Sequence, residues 1–160
     1  MIILIMGVTG AGKTTVGRAL AQSLHWSFAD ADDYHSPANI AKMRAGIALT
    51  DEDRAPWLLS LKNAILGWLA ATESVVLACS ALKASYRDIL VVSAEVKLVY
   101  LQIGTELAAA RLAARRGHYM NPSLLHSQFE TLEEPHDALT VDASQSMEHI
   151  VASIRRAFAL

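Results

Sequence analysis

The chain has 160 residues, 52% of them hydrophobic, with 14 basic and 16 acidic side chains that leave a net charge of -2. That length suits one domain with one substantial core, and the interspersed charges form no basic stripe, which excludes a nucleic-acid partner. The single cysteine, Cys79, excludes an internal disulfide and is expected to pack as a small hydrophobe in a reducing compartment.

Ile2-Ile3-Leu4-Ile5-Met6 is a short apolar run suited to a strand buried on both faces. It lacks a basic flank and is cut short by Gly7, so neither a signal peptide nor a membrane span is expected, and the protein is expected in the cytoplasm. Gly7-Val8-Thr9-Gly10-Ala11-Gly12-Lys13-Thr14 then fits G-x-x-x-x-G-K-[ST] without a substitution, and Val16, Leu20 and Leu24 follow at helical spacing. A glycine-rich turn lets successive backbone N–H groups point at phosphate oxygens, and the following helix adds the positive end of its dipole. The stretch from Gly7 to Thr15 therefore reads as a nucleotide-phosphate cradle. In it Lys13 would bridge the β- and γ-phosphates and Thr14 would hold Mg²⁺.

Trp26 to Ala29 predicts a second strand, ending in the acidic cluster Asp30-Ala31-Asp32-Asp33. Ligands in open α/β sheets bind outside the carboxyl ends of the strands, on the rim that carries the phosphate loop. Asp30 and Asp32 are two apart and would share one side of an extended chain, one toward Mg²⁺ and the other toward an acceptor hydroxyl. Ser36-Pro37 opens a short helix closed by Gly46, and Thr50-Asp51-Glu52-Asp53 has the form of a capping box before a long helix reaching about Ala71.

Ser74 to Cys79 is a third strand and Val96 to Leu101 a fourth. The third ends in Cys79-Ser80 rather than in the acid that motor-type NTPases place there, which favours small-molecule kinases. A helix from Thr105 to Arg116 puts Arg111 and Arg115 four apart on one face, and Gly117-His118 interrupts it before a further helical piece near Leu132. Paired arginines on a helix-loop-helix predict a lid at about 111–132. Ala138 to Asp142 is a fifth strand, and Ser146 caps a last helix. The alternation predicts an α/β fold, a five-stranded parallel sheet with helices on both faces and a helical lid, in a single domain spanning 1–160.

The chain resembles the gluconate kinases among P-loop small-molecule kinases. The resemblance rests on Gly7 to Thr14, Phe28 to His35, Asn39 to Met43, Leu49 to Arg54 with Pro56-Trp57-Leu58, Cys79 to Lys83, Tyr86-Arg87-Asp88, Arg115 to His118, Ser127 to Glu133 and Thr140 to Asp142. It implies ATP-dependent phosphorylation of D-gluconate on its 6-hydroxyl, ATP and Mg²⁺ as cofactors, and a homodimer. On this reading Asp32 meets the acceptor hydroxyl, Asp30 and Thr14 serve Mg²⁺, and Arg111 and Arg115 close over ATP. His35, Arg54, Lys83 and His118 are then the candidate gluconate contacts, with a substrate-binding helical segment at about 36–56. A kinase of another hydroxy acid, similar to shikimate kinase, and a non-catalytic nucleotide-binding regulator are the alternatives.

Overall fold

A computed structural model describes residues 1–115 and 123–160. Five strands, β1 (Ile2–Met6), β2 (Ser27–Asp30), β3 (Val75–Ala78), β4 (Val96–Gln102) and β5 (Leu139–Asp142), form one parallel sheet in the order β2-β3-β1-β4-β5. Ile2 stands opposite Val75 on one side and Val96 on the other, so β1 is central. The sheet matches the expected architecture.

Alternation along β1 divides the interior in two, because successive side chains of a strand point to opposite faces. Ile3 and Ile5 enter one core with Val16 and Leu20 of α1 (Lys13–Leu24) and Ile150 and Ile154 of α7 (Met147–Phe158). Ile2, Leu4 and Met6 enter the other, with Trp57, Leu61 and Ile65 of α3 (Asp51–Ala70) and Leu90 of α4 (Ala84–Leu90). Leu61 and Ile65 are fully buried, and truncating either to alanine would cost about 2–5 kcal/mol. The remaining helices are α2 (Pro37–Arg44), α5 (Thr105–Ala114) and α6 (Leu124–Thr131).

The caps form where the residue types call for them. Ser36 accepts from the Asn39 N–H with Pro37 in the first turn, and Thr50 and Asp53 make the reciprocal capping box that starts α3. Two local expectations are corrected. The chain does not stay extended after Asp30 but tightens into a 3-10 turn, Ala31–Tyr34, because the Asp30 carboxylate caps the Asp32 N–H at 3.0 Å. Helix α5 ends at Ala114, and Arg115 is its extended C-cap (φ -77°, ψ 129°), so Arg111 and Arg115 do not share a helix face. Arg116 and His118 lie outside the described residues.

Candidate active site

The phosphate loop leaves the carboxyl end of β1 and runs into α1. Gly10 has φ +83°, and a Cβ there would stand 2.7 Å from the Ala108 carbonyl oxygen, so any side chain would collide with α5. Gly12, the N-cap of α1, sits at φ +92° with no cap side chain, leaving the first helical N–H groups open to an anion. The Gly7 N–H donates to the Ser80 carbonyl, which ties the loop to the end of β3.

Lys13, the first residue of α1, is half-buried and turns back onto the loop. Its Nζ donates to the Val8 carbonyl at 2.9 Å, and burial lowers its pKa while the neighbouring Asp32 and Asp30 carboxylates oppose that shift. A phosphate oxygen would be a stronger partner for this ammonium than a carbonyl. Thr14 Oγ1 donates to Asp30 Oδ2 at 2.8 Å. A hydroxyl and a carboxylate side by side are the hard oxygen donors Mg²⁺ takes, with phosphates and waters filling its other positions.

Lys13, Thr14, Asp30, Asp32, His35, Arg54 and Arg115 all line one cleft, together with Thr9, Gly10, Gly12, Ser80, Tyr86 and Gln128. Cations and carboxylates thus line the same cleft. Asp33 instead lines a separate groove with Tyr34, Trp68 and Glu73. Trp57 braces the cleft wall: its Nε1 donates to the Ala31 carbonyl at 2.7 Å, and His35 stacks on its ring at 4.4 Å. Burial lowers the His35 pKa, with Arg54 adding to the effect and Asp32 opposing it. The Cys79 thiol is pushed up to about 12, chiefly by burial, which leaves it a packed, protonated side chain in the cleft wall.

Arg54 is held from two sides, with Nη1 donating to the Leu49 carbonyl at 2.6 Å and to the Tyr86 hydroxyl at 3.3 Å. Tyr86 in turn donates to Asp51, which also receives Lys83 Nζ at 2.8 Å. Lys83 is therefore engaged with Asp51 and is not part of the cleft lining, unlike the other described substrate candidates. A second groove shares Gly10, Gly12 and Arg115 with the cleft and continues past Thr15, Arg111, Ala143 and Gln145. Arg111 stands at its side, its Nη2 donating to the Ala143 carbonyl at 2.8 Å.

Sequence reasoning did not assign roles to Gln128, Tyr86 or Asp51. Gln128 Oε1 accepts from the Thr9 N–H at 2.7 Å, a contact between residues 119 apart. Its one sequence signal was the Ser127 to Glu133 stretch. Asp51 was visible as the first helical residue after the Thr50 cap and within the Leu49 to Arg54 stretch.

A family model described as shikimate kinase matches residues 9–158. A curated protein of Gluconobacter oxydans, named gluconokinase, is 46% identical, with 84% of this chain and 76% of that protein covered. The crystal structure of a gluconokinase from Sinorhizobium meliloti superposes with a TM-score of 0.86 at 42% identity, covering 98% of this chain and 90% of that one. An unliganded sugar kinase from Janibacter superposes with a TM-score of 0.92 at 40% identity, covering 99% and 94%.

Proposed function

The chain belongs to the shikimate kinase family, on its gluconokinase side, and from that premise we propose that it transfers the γ-phosphoryl group of ATP to the 6-hydroxyl of D-gluconate, giving 6-phospho-D-gluconate and ADP. The observation that carries the reading is the meeting, in one cleft, of a complete phosphate loop with Asp32 and a fixed Arg54. The loop takes the phosphates, and the adjoining groove beside Arg111 and Ala143 takes the nucleoside.

Phosphoryl transfer is mostly positioning and charge stabilisation. Thr14 and Asp30 would hold Mg²⁺, which would supply positive charge to the phosphates. Lys13 would exchange the Val8 carbonyl for phosphate oxygens as partner. Asp32 orients the 6-hydroxyl and accepts its proton while the new O–P bond forms and the bond to the ADP oxygen breaks. Arg115 lines both the cleft and the adjoining groove, which supports a role for its charge beside the transferring group.

At the acceptor end, the lowered His35 pKa keeps that imidazole neutral near pH 7, suited to sugar hydroxyls. Arg54 is left as the described cation for the carboxylate. The lid at about 111–132, the substrate segment at about 36–56, the homodimer and the cytoplasmic location belong to the same proposal. His118 has its proposed gluconate contact from the sequence, where it falls in the loop after Gly117, outside the described residues.

The deciding experiment measures ADP release with gluconate, with shikimate and with neither, and locates the new phosphate by ³¹P NMR. Release that depends on gluconate, with phosphate on C6, is expected. Release with shikimate alone, or none with either acid, would overturn the assignment in favour of another hydroxy-acid kinase or a nucleotide-binding regulator.

A further inference from the structure

The Gln128 carboxamide occupies a position that the loop and the two carboxylates do not account for. A backbone N–H can only donate, so the 2.7 Å contact with Thr9 fixes the oxygen of the amide toward the loop and leaves Nε2 at the opposite corner. Nε2 carries two hydrogens and has no protein acceptor among the described residues. Gln128 lines the same cleft as Lys13, Asp32 and Arg115.

The helix that bears it is anchored on both sides. Leu125 is buried in the main core beneath the loop, and Leu124 packs with Met43 and Leu49. Past its end, the Glu133 N–H donates to the Leu82 carbonyl at 2.9 Å, and the Glu133 carboxylate accepts from the Ala84 N–H at 2.7 Å. The helix that carries the amide is thus tied to its surroundings at both ends.

We infer that Gln128 is a further catalytic residue, whose amide oxygen is pinned by the Thr9 N–H so that its two Nε2 hydrogens face the transferring phosphoryl group. The inference rests on the kinase reading above. A neutral donor suits this position, because it meets the charge spread over the equatorial oxygens without adding a further cation to a cleft that holds Lys13, Arg54 and Arg115.

The test compares Gln128→Glu and Gln128→Ala with the wild type at saturating ATP and gluconate. Glutamate keeps an oxygen for the Thr9 N–H but loses both donors, whereas alanine loses tether and donors together. We expect kcat to fall by about 10²-fold in both variants, the usual cost of removing one such donor, with wild-type Tm and circular dichroism. Gln128→Glu should also recover at least about threefold relative to the wild type as pH falls toward 5, where its carboxyl regains a hydrogen to donate. If either variant fails to fold, Gln128→Met takes its place, keeping length and bulk without donor or acceptor.

A Gln128→Glu kcat within about threefold of the wild type, or no recovery at low pH, would reduce Gln128 to a tether and overturn the inference. The two readings fail separately. A wild type that releases no ADP with gluconate sinks the kinase assignment, while a wild type that turns over beside an equally active Gln128→Glu sinks only the role of Gln128.

Discussion

The Thr14 hydroxyl donates a 2.8 Å hydrogen bond to Asp30 Oδ2, joining the first turn of α1 to the last residue of β2. The bond prealigns two oxygen donors from different elements beside the phosphate loop. Asp30→Asn keeps the shape and removes the charge, so the Mg²⁺ concentration for half-maximal activity should rise by about tenfold or more. Titrating Mg²⁺ at fixed ATP checks this. An unchanged requirement would assign the Asp30 carboxylate to the loop alone.

Asp32 and Asp33 are adjacent but open onto different surfaces. Asp32→Asn should therefore lower kcat by about 10²-fold while ATP binding persists, and Asp33→Asn should stay within about threefold of the wild type. Steady-state kinetics on the two variants decide the matter. The reverse ranking would put the acceptor-facing carboxylate on Asp33.

Arg115 and Arg111 should separate kinetically, since Arg115 borders both cleft and groove while Arg111 borders the groove only. Arg115→Ala is expected to lower kcat with a smaller change in the gluconate KM, and Arg111→Ala to raise mainly the ATP KM. A rise confined to the gluconate KM in Arg115→Ala would make that residue a carboxylate ligand.

Asp53 gives a pH signature. Bonds from Lys42 and from the Thr50 N–H and hydroxyl hold its carboxyl at about 2, below the ordinary 3.8. A carboxyl depressed in the folded state contributes stability above its unfolded pKa and loses it as pH falls through the folded value. The Tm gap between wild type and Asp53→Asn should thus be full above pH 4 and close as pH drops from about 4 to about 2. A gap that persists at pH 2 would attribute the loss to geometry rather than charge.

Much of this architecture is legible because its causes are local. The apolar run at β1, the glycines of the loop, Ser36-Pro37 and the Thr50–Asp53 box each carry their conformation in a few adjacent residues. The Asp30–Asp32 geometry was misread because a side chain caps the backbone two residues on and so ends the extended chain. Arg115 was misread because helical spacing holds only while the helix continues, and α5 stops one residue short of it. The Gln128–Thr9 and Asp51–Tyr86 contacts join residues 119 and 35 apart, and no periodicity encodes a meeting made by tertiary packing.

Trp57 has a consequence for observation as well as for packing. Of the three tryptophans it is the one in the cleft lining, with its indole tied to Ala31 and its face against His35, while Trp26 packs against the opposite core and Trp68 lines the groove beside Asp33. Indole emission depends on the polarity and mobility of its surroundings, and Trp57 lines the cleft but not the second groove. On the proposed assignment of the cleft, Trp57 emission should therefore change when gluconate is added, which gives the chain an optical gauge that needs no attached label.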